Sequence, residues 1–350
     1  MNFNEYQDFI MEKTLELLNI NSPTGYTEDA ANYCLEEFRK LGFEAKLTNK
    51  GGVLVNIGGK DKENGLLLEA HTDTLGGMVS SIKSSGRLVV TPLGGMNANN
   101  AETENVTVIT KFDGEYEGTF QLNNASIHVN GEYNDTKRTF DSCEVVLDED
   151  VKSEEDTRKL GISVGDIVCF EPNARITKSG YIKSRFLDDK LSVGILLGFA
   201  KYIADNKITP ERAIYIHITV FEEVGHGGCA SVPEGVTEAI SVDMGCVGEG
   251  LTCTEKQVSI CAKDSGGPYA FSIVKGLIEA AKKAGADYAV DVYPHYGSDV
   301  EATLSAGYDI KHGLIGAGVY ASHGYERSHK EGALNTMKLL VAYADLTSES

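Results

Sequence analysis

The rest of the chain is organised around the strand-like run Ala213-Ile214-Tyr215-Ile216-His217-Ile218-Thr219-Val220. Apolar and β-branched residues dominate it, which predicts a strand. Phe221 then leads into Glu222-Glu223-Val224-Gly225-His226-Gly227-Gly228, two adjacent acids followed at once by turn-forming glycines. In an α/β sheet the crevice outside the strand ends is where ligands and catalytic groups collect. Successive strand residues point to opposite faces, so the two glutamates are expected to divide the work. One suits a metal ion and its neighbour a general base.

The rest of the chain alternates around this run. Apolar spacing predicts a helix from Phe3 to Leu18 and a second from Thr27 to about Leu41. Short strands near Glu44–Leu47 and Val53–Ile57 precede Leu66-Leu67-Leu68-Glu69-Ala70, which delivers His71-Thr72-Asp73 at its end. From about Gly77 to Ile176 the texture changes to short β runs separated by turns, as in a small β-barrel. Asp188-Asp189 opens a helix to about Ala204, and alternation resumes: a helix from Gly228, a strand reaching Asp243, a helix over Asp299–Ser305 and a closing helix over Ala333–Ala344. The fold class is therefore α/β, a mixed sheet covered by helices. Residues 1–76 and 177–350 form it, and residues 77–176 are read as an inserted β-barrel domain.

Charge and composition exclude several functions. A net charge of −20 argues against a nucleic-acid partner, whose phosphates call for clustered Lys and Arg. No apolar run reaches the roughly 18–20 residues that span a bilayer, and the first residues lack the basic and apolar regions of a signal peptide. Seven cysteines, an odd number without CxxC spacing, are the usage of a reduced cytoplasmic protein.

The residues with metal chemistry recur at strand ends or in the turns after them: His71, Asp73, Asp188, Glu222, Glu223, Asp243 and His323. An oxygen-rich set with two imidazoles suits zinc, cobalt or manganese, and its carboxylates can bridge two ions. No member is specific by itself. An HxD triplet is common by chance, and Asp-Asp ahead of a helix is more often an N-cap.

Taken in this order, the set resembles the glutamyl and deblocking aminopeptidases, tetrahedral self-compartmentalising enzymes, across essentially the whole chain. The resemblance implies an aminopeptidase with two divalent metal ions per subunit, acting on peptides as a homo-oligomer, often of twelve subunits. It implies His71 as a metal ligand oriented by Asp73, Asp188 as the bridging carboxylate, Glu223, Asp243 and His323 as further ligands, and Glu222 as general base. The β-domain would help assembly and substrate access. Two departures stand out. His226 and Gly227 occupy positions where the family carries an aliphatic residue and an arginine, and His329 competes with His323 as the last ligand. Asp299, in Gly297-Ser298-Asp299, is expected beside the site or as a helix cap. His128, His217, His295 and His312 are read as structural or surface residues. The rivals are a related dinuclear deacylase or carboxypeptidase, paired-acid glycoside hydrolysis, which adjacent strand acids fit poorly, and a metal-stabilised binding module.

Overall fold

The computed structural model describes residues 3–112 and 114–346. Its larger part is a twelve-stranded mixed sheet. At the centre four strands run parallel as neighbours: Arg212–Thr219, Asp61–His71, Val236–Val242 and Lys311–Tyr320. Thr219 pairs with His71, Ser241 with Glu69 and Val242 with Ile315, so all four strands finish at one edge. Leu66, Leu67, Leu68, Ile214, Ile216, Ile218, Ile240, Val242, Leu314 and Ile315 are almost wholly buried, as expected of strands covered on both faces. Antiparallel additions, Val53–Gly58 on one side and Val258–Lys263 on the other, make the sheet mixed.

The helix Leu187–Asp205 packs against Asn4–Leu18 and Lys330–Tyr343. Its Gly194 and Gly198 permit the approach: a Cβ on Gly194 would lie 3.1 Å from the Ile10 carbonyl, and one on Gly198 2.5 Å from Ile10 Cγ1. Lys190 is buried under this contact, its ammonium donating to the carbonyls of Leu17 (3.0 Å) and Ile20 (2.6 Å). It adds a donor just past the end of the first helix, where the Leu17 carbonyl also accepts from the Ile20 amide.

The second part is a closed six-stranded antiparallel barrel, in the order Gly76–Ile82, Leu88–Leu93, Cys143–Leu147, Glu115–Leu122, Asn105–Ile109, Ile167–Phe170. Alternating residues from these strands (Val79, Val90, Val108, Phe120, Val145, Val168) fill its interior. The chain enters it five residues after His71 and leaves it through Arg175–Ile176 and Tyr181–Ser184, which join the edge of the large sheet.

Two local expectations fail. No α-helix starts at Gly228; a single 3-10 turn, Gly227–Cys229, is followed by irregular chain to Val236. A Cβ on Gly228 would lie 2.5 Å from Thr303 Oγ1 and would collide with the Asp299 carbonyl. This segment therefore lies flat against the Asp299–Ser305 helix instead of coiling. The sheet strand also stops at Thr219, not at the glutamates. Phe221 adopts a left-handed conformation (φ +68°) and Glu222–Val224 forms a 3-10 turn. Both glutamates are thereby released from strand alternation and face one cleft.

Candidate metal centre

Four parallel strand ends deliver the chemistry. His71 ends one strand, Glu222 and Glu223 follow the second, Asp243 the third and His323 the fourth. Asp188 arrives from the first turn of the Leu187–Asp205 helix, where it and Asp189 depart from helical geometry.

Asp188 sits between the two histidines. Its Oδ1 lies 3.1 Å from His71 Nε2 and its Oδ2 3.5 Å from His323 Nε2. His323 Nε2 is also 3.7 Å from Glu223 Oε2, and His71 Nε2 is 3.6 Å from Glu222 Oε2. Ligand atoms of His71, Asp188 and Glu223 lie within 4.8 Å of one another, as do those of His71, Asp189 and Asp243. All seven of these side chains gather at one edge of the sheet. His329 does not. It is buried elsewhere, with Nε2 2.8 Å from the Ser179 carbonyl and Nδ1 accepting from the Glu331 amide as a helix cap.

The surrounding hydrogen bonds fix the cluster. His71 Nδ1 lies 2.9 Å from the backbone oxygen of Asp73 and 3.6 Å from its carboxylate. The Asp73 carboxylate is engaged with the turn of the glutamates, accepting from the amides of Glu222 (3.1 Å) and Glu223 (3.3 Å) and from Thr24 Oγ1 (2.7 Å). Asp299 stabilises the same turn from the other side, through the Gly228 amide (2.6 Å) and the Thr219 hydroxyl. It is the first residue of its helix, and Ser298 holds the cap position. Asp189 Oδ2 accepts from the His71 amide (3.3 Å).

One organising residue carries no sequence signal. Glu326 is buried, and its carboxylate accepts from the Asp188 amide (3.1 Å) through one oxygen and from the His323 amide (2.9 Å) through the other. It ties together two backbones that are distant in sequence. A lone glutamate three residues after His323, opening the short strand Glu326–His329, gives no periodicity or motif. Gly95, in a barrel loop, hydrogen-bonds the His323 ring through its backbone, and a Cβ there would lie 2.5 Å from Nδ1. His295 lines the cleft, and His217 is buried 3.3 Å from Glu69. The side chain of His226 faces solvent.

The electrostatics of the cluster are those of a cation site. Burial raises the pKa of Glu222, Glu223 and Asp189 well above the carboxylate range, and neighbouring acids add to it. Burial and the Asp188 charge lift Asp243 to about 6 and Glu326 to about 8. Burial also works against the charge on Asp188, but hydrogen bonds to His323 and His71 outweigh it and hold its pKa below the usual range. Burial opposes protonation of His71, yet Glu222 and Asp188 raise its pKa well above normal. So many buried acids around two imidazoles are costly unless positive charge joins them. Glu223 Oε1 and Asp189 Oδ1 are buried without a hydrogen-bond partner. The donor set fits a divalent metal ion.

A cleft of about 660 Å³ opens onto these residues, lined also by Met244, Tyr296, Ser298 and Glu301. An α/β sheet whose parallel strand ends converge on a carboxylate–histidine cluster below an open cleft is the frame of a metal-dependent hydrolase.

The chain belongs to the M42 glutamyl aminopeptidase family, whose model matches residues 51–339. It is 41% identical over 333 residues to YhfE of Bacillus subtilis (strain 168), named as an aminopeptidase, covering 95% of this chain and 96% of that one. Its fold is similar to that of aminopeptidase APDkam598 from the archaeon Desulfurococcus kamchatkensis, with TM-score 0.87 at 20% identity over 98% of this chain and 96% of the other. It is also similar to the Pyrococcus horikoshii TET1 peptidase, which can assemble into a tetrahedron or a large octahedral shell (TM-score 0.84, 22% identity, 96% and 99% covered). The protein is thus a hydrolase, an aminopeptidase of a metal-dependent family.

Proposed function

We propose that the protein releases N-terminal residues from peptides with two divalent metal ions per subunit, Glu222 serving as general base. The observation that carries this reading is the placement of Asp188, one oxygen toward His71 and the other toward His323. His71, Asp188 and Asp243 would hold one ion, and Asp188, Glu223 and His323 the other. Zinc, cobalt and manganese all suit such donors. When bound, the ions polarise the scissile carbonyl and make water acidic enough to lose a proton near neutral pH.

The residues of the chain do the rest. Glu222 takes the proton of the attacking water on its carboxylate and returns it to the leaving amine. Asp73 keeps Glu222 and Glu223 in place through their amides, and Glu326 does the same for Asp188 and His323. No lysine or arginine is among the described residues lining the cleft, which leaves a carboxypeptidase without a fork for a terminal carboxylate.

In this reading residues 1–76 and 177–350 are the catalytic domain, and residues 77–176 the domain that governs access and assembly. The loop bearing Gly95 already touches His323. A homo-oligomer is proposed on the strength of the structural relatives that assemble into shells and dodecamers. Seven free cysteines suit a cytoplasmic setting.

Metal removal tests the function. Dialysis against a chelator is expected to abolish release of 4-nitroaniline from aminoacyl substrates, and zinc, cobalt or manganese to restore it. Full activity in metal-free protein would refute the reading.

A further inference from the structure

Beyond the metal-facing acids, the cleft has one wall built by the Asp299–Ser305 helix and the residue before it. Ser298, Glu301, Ala302 and Ser305 line the cleft, at spacing i, i+3, i+4, i+7, so a single stripe of the helix faces it. Glu301 is the ionisable member of that stripe. Its carboxylate lies against two backbone segments without side chains. A Cβ on Gly266 would collide with Oε1, and one on Gly297 would lie 3.5 Å from Oε2.

A second carboxyl group stands behind it. Asp264 is fully buried, accepting from Tyr269 Oη (2.5 Å) and the Gly266 amide (3.0 Å). Burial, and then the Asp264 carboxyl beside it, push the Glu301 pKa up to about 8. Lys263 is the nearby cation, but its side chain is exposed and its ammonium is 2.6 Å from the Asp264 carbonyl. Glu301 forms no ion pair among the described residues. The two carboxyl groups share a hydrogen bond, and an ammonium or guanidinium at the cleft face of Glu301 would supply the cation that lets both ionise. Met244, Tyr296 and Ala302 offer apolar surface to the methylene stem of a long basic side chain. At Glu301 an acidic side chain would meet like charge, and no lysine or arginine is among the described lining residues to offset it.

We propose that Glu301, backed by Asp264, makes this enzyme select peptides whose N-terminal residue is lysine or arginine. The proposal rests on the aminopeptidase reading above. It separates this chain from the acidic preference in the family's name.

The test compares kcat/KM for the 4-nitroanilides of Lys, Arg, Leu and Glu, with metal-loaded wild type and Glu301→Gln. Wild type is expected to favour Lys and Arg over Leu at least about tenfold, and to be slowest on Glu. Glu301→Gln should lower the Lys-to-Leu ratio by roughly 10- to 100-fold, the value of a charge-assisted hydrogen bond. Glu301→Lys should raise Glu relative to Lys. Faster hydrolysis of Leu or Glu than of Lys by wild type would overturn the proposal while leaving the aminopeptidase reading standing. An unchanged Lys-to-Leu ratio in both variants would do the same. Release from none of the four substrates would instead refute the aminopeptidase reading, and the proposal with it.

Discussion

Glu222→Gln is expected to cut turnover about a thousandfold or more, with metal content unchanged. General acid–base catalysis contributes roughly 10²–10⁴-fold, and here one carboxylate performs both the acid and the base step. Glutamine keeps the size of the side chain and loses its basicity. The turn that presents it is held by backbone amides on Asp73 and by Asp299, so the substitution leaves the scaffold alone. In the proposed ligand set Glu222 holds no ion, which separates this variant from one that empties the site. Turnover and metal content per subunit, measured on the same preparation, check it. Near-normal turnover would remove Glu222 from the chemistry. Loss of metal would make it a ligand.

Asp188→Asn is expected to abolish activity by a different route, the loss of metal. An amide offers one neutral oxygen where the carboxylate offers two charged ones, directed at His71 (3.1 Å) and His323 (3.5 Å). Loss of a group that merely supports a ligand costs about 10–100-fold in metal affinity, and a shared ligand should cost more for both ions. Titration of the metal-free protein, followed calorimetrically, is expected to show affinity weakened more than about 100-fold relative to wild type. Despite burial, the histidines hold the Asp188 pKa below the usual range, so Asp188→Asn also removes a stabilising charge from the metal-free fold, and thermal unfolding of the metal-free variant is measured beside its affinity. Wild-type affinity in this variant would take Asp188 out of the bridge.

Much of the frame was legible in the sequence because it follows from periodicity. The Leu66–Ala70 run reads as a buried strand and Ala213–Val220 as a strand, and parallel strands place their ends together. Hence His71, Glu222, Glu223 and Asp243 fall at or just past the ends of predicted strands, whereas the preference for His323 over His329 rests on the family resemblance. The change to short β runs after Gly77 matches the barrel, although its first strand, Gly76–Ile82, carries glycines and serines that read as loop. What the sequence hid is what depends on tertiary contact. The left-handed Phe221 that turns both glutamates into one cleft has no residue signature. Glu326 is recognisable only by the amides it receives, and Gly95 only by the ring it touches. His295 looked incidental until the fold brought it to the cleft wall. The flat path after Gly228 was set by the Asp299–Ser305 helix, which lies seventy residues further along the chain.

The account depends on residues from five segments enclosing a pair of cations. The most direct measurement is anomalous X-ray scattering from crystals of the zinc-loaded protein, collected above and below the metal absorption edge. Two peaks are predicted with the Asp188 carboxylate between them, His71 and Asp243 on one and Glu223 and His323 on the other. A single peak, or two peaks without Asp188 between them, would contradict it.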